Sequence, residues 1–370
     1  MRQVGIVFGG PSPEHDISIL TGLQAARALH STGVQVHGLF WNKSGEWFLV
    51  DPLKEAQAFA NERPDGGQSL YLRLGSEPGF YPPAGRLGRA KPIELEAVVN
   101  ACHGGPGEDG SLQAVLDQAG IAYTGPSART ASLGMDKLAF YGVVAQAGLP
   151  ALQRVLLDRS TSEVPFDPPF IVKPRFGGSS IGIEVVSDLP TAQMRLGANV
   201  HLRAGAVLEP YRPDLFDIQI AARNYPGLEL SAIERPLRKG VSKEILSYSD
   251  KYIAGEGMST APRELPAAVS NEFAERLRSY AKTVAGLVGI RGIMRFDFMA
   301  GADEQLYVNE VNTIPGSLSH YLWIDPKVAF EKLLSQMIEE ALEVPSFSPV
   351  VAGADGSVLR SASSIAAKLA

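Results

Sequence analysis

The chain of 370 residues carries 34 Lys and Arg against 40 Asp and Glu, a formal net charge of −6, with 45% hydrophobic and 20% charged residues. Mixed charges with a mild negative excess exclude a broad nucleic-acid surface and attraction to anionic lipid, and leave small-molecule chemistry as the expectation. Cys102 is the only cysteine, so an intrachain disulfide and a cysteine-rich zinc site are ruled out and a cytoplasmic location is expected.

The length exceeds that of one compact domain, which predicts two or three domains sharing one site. The opening MRQVGIVFGG enters a strand pattern without a leader, and no apolar run reaches about 18 residues; neither a signal peptide nor a membrane span is expected. Residues 4–8 form an apolar run ending in Gly9-Gly10, and Ile17, Leu20, Leu23 and Leu29 follow at helical spacing. A second strand, loop and helix come at 96–102, HGGPGEDG (103–110) and the stretch through Leu112, Val115 and Leu116. These units predict an open α/β domain over 1–126. Between them, residues 61–92 are rich in Gly, Pro and Arg and read as irregular connection.

A helix carrying Met135-Asp136-Lys137 opens a central domain, 127–205, in which FIVKP, RFGGSS and IGIEVV make a hairpin. A third domain, 206–345, is expected to start with the strands AVLEPY, FDIQIAAR and LELSAIERP, continue with a helix over 271–288, and close on the hairpin RGIMRFDFMA/LYVNEVN. Residues 346–370 form a Ser-, Ala- and Gly-rich tail with room for a short helix.

Side chains alternate faces along a strand, so Arg295 and Asp297 share one face while Met294, Phe296 and Phe298 share the other. Glu310 and Asn312 share a face on the partner strand. The cluster is either a solvated edge or a magnesium site, since magnesium takes oxygen ligands from one or two carboxylates plus phosphates. The loop Gly177-Gly178-Ser179-Ser180 leads into a strand rather than a helix, so it is no P-loop. It is either a plain flexible turn or a cover for phosphates, with Lys173 just before it as a point charge. GIVFGGPSPEHD lacks GxGxxG spacing, which argues against a dinucleotide fold, and Cys102 reads as core packing rather than a nucleophile.

In order along residues 3–340, FGGPSPEHDIS, HGGPGEDGSLQ, MDK and NEVNTIPG resemble the signatures of the D-alanine:D-alanine ligase family. The resemblance implies an ATP-grasp α/β fold, in which two α+β domains clasp the nucleotide. The implied reaction joins two D-alanines into D-alanyl-D-alanine for peptidoglycan through an acyl phosphate, with ATP as substrate and two magnesium ions, manganese being an alternative. D-amino acids and ATP are the implied partners, and a homodimer is the expected assembly.

Carried over by position, Glu14 would hold the first amine, and His103 and Glu108 would shape the first-substrate pocket. Lys137, Lys173, Ser180 and Lys251 would meet phosphates, with Glu209 and Tyr211 at the adenine and Asp217 at the ribose. Asp297, Glu310 and Asn312 would bind metal, while Arg295 and the Gly316 backbone would stabilise the oxyanion. Tyr252, with Glu14 and Ser179, would lock a loop expected to close and order over 240–262. After Pro315-Gly316 the chain departs from the family pattern: Tyr321 stands where a serine binding the second carboxylate is expected. Ser319, Tyr321 and Leu322 are the candidate residues there, with Ser319 or His320 as a shifted donor. Two further readings are a related carboxylate–amine ligase with another second substrate, used in specialised metabolism, and an inactive ATP-binding regulator.

Overall fold

Strand β1 (Gln3–Gly9) is buried along almost its whole length, as a strand flanked by parallel neighbours must be. It pairs in parallel with β2 (Gln35–Trp41) and β6 (Ala97–Asn100). Helix α1 (His15–Ser31) crosses between β1 and β2 and lays Ile19, Leu23, Ala26 and Leu29 on the sheet. The approach is close because Gly22 faces Phe8, where a Cβ would come within 2.5 Å of the Phe8 Cβ. The computed structural model describes residues 2–84, 90–237, 262–345, 350–362 and 364–366.

The first sheet has the order β5-β4-β3-β2-β1-β6, with antiparallel additions β3 (Trp47–Val50), β4 (Gln68–Arg73) and β5 (Gly79–Tyr81). Two of these strands lie in the stretch 61–92 that was expected to be irregular. The physical reason is that β4 buries only Leu70 and β5 has three residues, so neither offers enough apolar alternation to read.

A four-stranded antiparallel sheet follows, ordered β7-β10-β8-β9: β7 is Val155–Leu157, β8 Phe170–Pro174, β9 Glu184–Val186 and β10 Ala206–Pro210. Strand β10, expected to open the third domain, pairs instead with β8 and β7 of this second sheet. The third sheet is β13-β12-β11-β14-β15, from β11 (Phe216–Arg223), β12 (Glu229–Pro236), β13 (Arg263–Glu264), β14 (Ile293–Ala300) and β15 (Leu306–Asn312). One face carries Ile218, Ile220, Phe296 and Phe298. Against it pack Phe273, Leu277, Ala281, Val284 and Val288 of the helix Asn271–Val288. Each large apolar side chain buried there is worth roughly 2 kcal/mol. The apolar face is thereby occupied, and the polar face is free to build a site.

The turn Gly316–Leu322 after β15 places Leu318 and Leu322 in the core that holds α1, together with Trp323, Leu333 and Met337. The first and last parts of the chain therefore share a core, which fixes the turn against α1. Among the described residues no helix is long and apolar enough to cross a membrane.

Candidate active site

The polar face of the third sheet holds a row that runs across four strands. Glu234 on β12 lies opposite Gln219 on β11, Gln219 opposite Asp297 on β14, and Asp297 opposite Glu310 on β15. Arg295 pairs in register with Asn312. Direct pairing puts Glu310 and Asn312 on the same side as Asp297 and Arg295, and a bulge follows between Asp297 and Phe298. All six side chains line one cavity of about 290 Å³. Within it Arg295 grips Asp297 through Nε and Nη2 at 2.7 and 2.8 Å, and Asn312 Nδ2 donates to Asp297 Oδ2 at 2.9 Å.

The opposite wall comes from the second sheet and the helix Lys137–Gln146. Glu209 on β10 is buried between Arg154 Nε at 2.7 Å and Lys173 Nζ at 2.8 Å. Burial alone would raise its carboxyl, but the two cations overcome that and hold it down at about 2. Lys137 is also buried and its ammonium is pushed down by desolvation, with Glu310 Oε2 at 4.0 Å opposing the shift. It donates to the Gly177 carbonyl and so ties the loop 175–180 to the helix start. The same junction is closed by Asp136, which caps Leu138 and Ala139 and takes both Nε and Nη2 of Arg175. Ser179 and Ser180 both stand at positive φ, 52° and 58°, a backbone that such residues adopt only where the surroundings enforce it.

The third wall joins the first domain to these two. Ser179 donates to Glu14 at the start of α1. Gly104, at φ +64°, lets HGGPGE pass close by, since a Cβ there would meet Glu14 Oε2 at 2.6 Å. Glu108 accepts from the Gly104 N–H at 2.8 Å and the Ile314 N–H at 3.0 Å, linking that loop to the segment after β15. Burial, then the nearby Glu14 carboxylate, push Glu108 up to about 7 against the pull of these donors. His103 lies within hydrogen-bond distance of Ile314 O through Nδ1 and of Thr21 Oγ1 through Nε2, at 2.7 and 2.8 Å. A carbonyl can only accept, so Nδ1 carries the proton; burial holds the ring neutral, with its pKa down to about 4, so Nε2 accepts from Thr21. Both nitrogens of His103 are engaged, so its part in a substrate pocket is to fix the walls.

Of the expected residues, the cavity is lined by Glu14, His103, Glu108, Ser179, Arg295, Gly316 and Tyr321, by Lys137, Lys173, Ser180, Glu209, Tyr211 and Asp217, and by Asp297, Glu310 and Asn312. Two expected residues are absent from it. Ser319 is fully buried with no hydrogen-bond partner for its Oγ among the described residues, and Leu322 is fully buried in the core shared with α1. The cause is the turn itself: Ser317, Leu318 and Ser319 all stand near φ +48°, which winds it left-handed and sends those side chains inward. The shifted donor expected at Ser319 or His320 is corrected likewise, for His320 stacks on Phe330 and donates to Ser317 O at 2.8 Å. Lys251 and Tyr252, with most of the segment expected to close over the site, lie outside the described residues.

Sequence reasoning missed Arg154, Gln219, Glu234 and Arg263. Gln219 was within reach, being two residues from Asp217 on one strand face, and Glu234 follows once β12 is set in register. Arg154 and Arg263 sit outside any motif and carry no local signal.

An open α/β sheet followed by two antiparallel sheets around one polar cavity is the ATP-grasp arrangement of an ATP-dependent ligase. The family model of the D-ala D-ala ligase N-terminus matches residues 3–126, and that of the D-ala D-ala ligase C-terminus matches residues 131–339. Similar curated proteins include the D-alanine--D-alanine ligase of Lactococcus lactis subsp. cremoris (strain MG1363), 30% identical over 91% of this chain and 95% of its own. That of Campylobacter lari is 30% identical over 87% and 89%. Among solved structures, the D-alanine-D-alanine ligase from Helicobacter pylori superposes with a TM-score of 0.72 at 25% identity, covering 94% of this chain and all of the other. The VanG D-Ala:D-Ser ligase from Enterococcus faecalis shares the fold, with a TM-score of 0.75 at 22% identity over 92% and 99%. The chain belongs to the D-ala D-ala ligase family.

Proposed function

We propose that this protein joins two D-alanine molecules into D-alanyl-D-alanine with ATP as the driving substrate. The terminal phosphoryl group of ATP passes to the carboxylate of the first D-alanine, giving an acyl phosphate and ADP. The amine of the second D-alanine attacks that carbonyl carbon, a tetrahedral intermediate forms, and phosphate leaves as the peptide bond closes. The observation that carries this reading is the convergence of Lys137, Lys173, Arg295 and Glu14 on one cavity that also holds the carboxylates of Asp297 and Glu310 and the amide of Asn312.

In this reading Lys137 and Lys173 meet the triphosphate and Asp217 the ribose, while Glu14, which accepts from Ser179, holds the first ammonium; their common place in the cavity lining supports it. In the same reading Arg295, held on Asp297 through Nε and Nη2, stabilises the developing oxyanion, and a fixed donor there lowers the barrier because it needs no reorganisation. Magnesium fits the donor set. Asp297, Glu310 and Asn312 are hard oxygen ligands on one face of adjacent strands, and Glu310 is partly exposed to the cavity. When bound, the metal neutralises phosphate charge.

Incubation with magnesium ATP and a panel of D- and L-amino acids, with products read by mass spectrometry, tests the reading. D-alanyl-D-alanine formed with equimolar phosphate is expected. Phosphate release that is independent of any amino acid would overturn it. A second reading, a ligase with a different second substrate, is favoured by one observation: Tyr321 occupies the cavity wall where the family resemblance calls for a serine.

A further inference from the structure

Tyr321 takes the place of a serine, and neither Ser319 nor His320 replaces it, because Ser319 faces the core and His320 stacks on Phe330. The cavity nevertheless has a donor at this point, from another strand. The Arg263 guanidinium lies over the Tyr321 ring, 4.7 Å from its centre, and Nη1 sits 2.9 Å from Glu234 Oε1. Glu234 is itself buried, and its other oxygen accepts from Gln219 Nε2. Arg263 stands opposite Pro236 in the β12–β13 pairing, diagonal to Glu234, and Arg263, Glu234, Pro236 and Tyr321 all line the cavity.

This assembly sits at the β12–β13 end of the polar row. Glu310 and Lys137 occupy the opposite end, and Arg295 and Asp297 lie between. With phosphate chemistry at the Glu310 end, an acceptor amine reaching the carbonyl beside Arg295 comes from the Arg263 end. A guanidinium stacked on an aromatic face and held by a buried carboxylate has already lost most of its rotamer freedom, and a guanidinium, with five N–H donors in a planar fork, matches a carboxylate. The charge comes from outside the Gly316–Leu322 turn, so a tyrosine in that turn serves as a platform instead of a donor.

We propose that Arg263, seated on Tyr321 and tethered by Glu234, binds the carboxylate of the acceptor amino acid and restricts the second substrate to amines bearing a neighbouring carboxylate. The inference rests on the ligase reading above and deepens it. The step it governs is binding; the bonds made and broken are those already given.

The test is a competition between D-alanine and D-alaninamide as acceptors, with magnesium ATP and D-alanine as donor, the two products being counted by mass spectrometry. The product ratio reports the ratio of kcat/KM values. The parent protein is expected to prefer D-alanine by about 100-fold or more, since a site built for one polar group rejects an analogue lacking it. In R263Q the preference falls at least about tenfold, and in R263K it falls less, because the charge stays and the fork is lost. Breaking one member of a buried pair can unfold a protein, so R263Q is also made with E234Q, which leaves no uncompensated charge. A ratio unchanged within about twofold in R263Q and in the double variant overturns the inference. The same incubation separates the two levels: failure of the parent to form any D-alanyl-D-alanine from D-alanine and magnesium ATP would overturn the ligase reading itself, whereas D-alanyl-D-alanine formed alongside an unchanged product ratio in the variants would overturn only the role of Arg263.

Discussion

The polar row on the third sheet and the turn Gly316–Leu322 that follows it differ in how their side chains are aimed. Across the row, β-strand alternation decides everything: once Phe296 and Phe298 face the core, Arg295 and Asp297 must face the cavity, and pairing brings Gln219, Glu310 and Asn312 alongside. In the turn, three successive residues near φ +48° reverse the usual handedness, and positions that spacing would offer to a substrate go to the core instead. Periodic backbone transmits sequence into geometry over long distances; a left-handed turn does not. Strand-borne groups should therefore give large, simple effects on substitution, and turn-borne groups small or selective ones.

The largest expected effect is at Glu209. Removing it by Glu209→Ala leaves Arg154 and Lys173 buried without their carboxylate, which should cost about 3–5 kcal/mol of stability in urea unfolding. Its contribution is present above the ordinary Glu range and is lost as pH falls towards about 2, because the folded carboxyl is depressed. A loss below about 1 kcal/mol would mean that strand-borne ion pairs here are no better than surface ones. Next comes Asp297→Ala, which should lower turnover about 100- to 1,000-fold while folding survives, because Arg295 and Asn312 both take their position from this carboxylate. Near-native turnover at saturating magnesium would remove Asp297 from the site.

The same contrast explains what the sequence disclosed. The β14–β15 hairpin, the helix Asn271–Val288 and the strands Phe216–Arg223 and Glu229–Pro236 were legible because each has an apolar face of regular period. Strands β4 and β5 were not, since β4 buries only Leu70 and β5, at the sheet edge, is just three residues long. Glu14, Lys137, Asp297 and Glu310 could be named from the family resemblance, and they do meet in one cavity. Arg263 and Arg154 could not, because an arginine in a two-residue strand or an irregular segment has no local pattern to mark it. Ser319 and Leu322 were misplaced because spacing was read through a turn whose backbone inverts.

Glu108 lies between the two regimes, on a loop but held by backbone donors from another. Its folded carboxyl stands near 7 against an ordinary 4.5, so the folded state keeps a proton that the unfolded chain releases, and stability falls as pH rises between those values. The full difference is about 3 kcal/mol. Glu108→Gln has no such titration, so its unfolding free energy relative to the parent should shift in its favour by up to that amount from pH 4.5 to 7.5. Parallel pH profiles for the two proteins would show that the raised value is absent in solution.

The smallest expected effect bears most directly on the turn. Ser319 is fully buried, and its Oγ has no hydrogen-bond partner among the described residues. An unsatisfied buried hydroxyl costs roughly 1–3 kcal/mol, so Ser319→Ala removes a liability while leaving only a small void in its place. The melting temperature should hold or rise, by an amount corresponding to about 1 kcal/mol. Because Ser319 does not line the cavity, KM for the acceptor D-alanine should stay within about twofold of the parent. A serine that held a substrate carboxylate would behave in the opposite way, raising that KM tenfold or more with no gain in stability, since charge-assisted hydrogen bonds are among the stronger ones. Measured together, the two readouts separate a turn that feeds the site from one that feeds the core. A rise in acceptor KM without stabilisation would put Ser319 back on the cavity wall and leave Tyr321 and Arg263 without their distinct part.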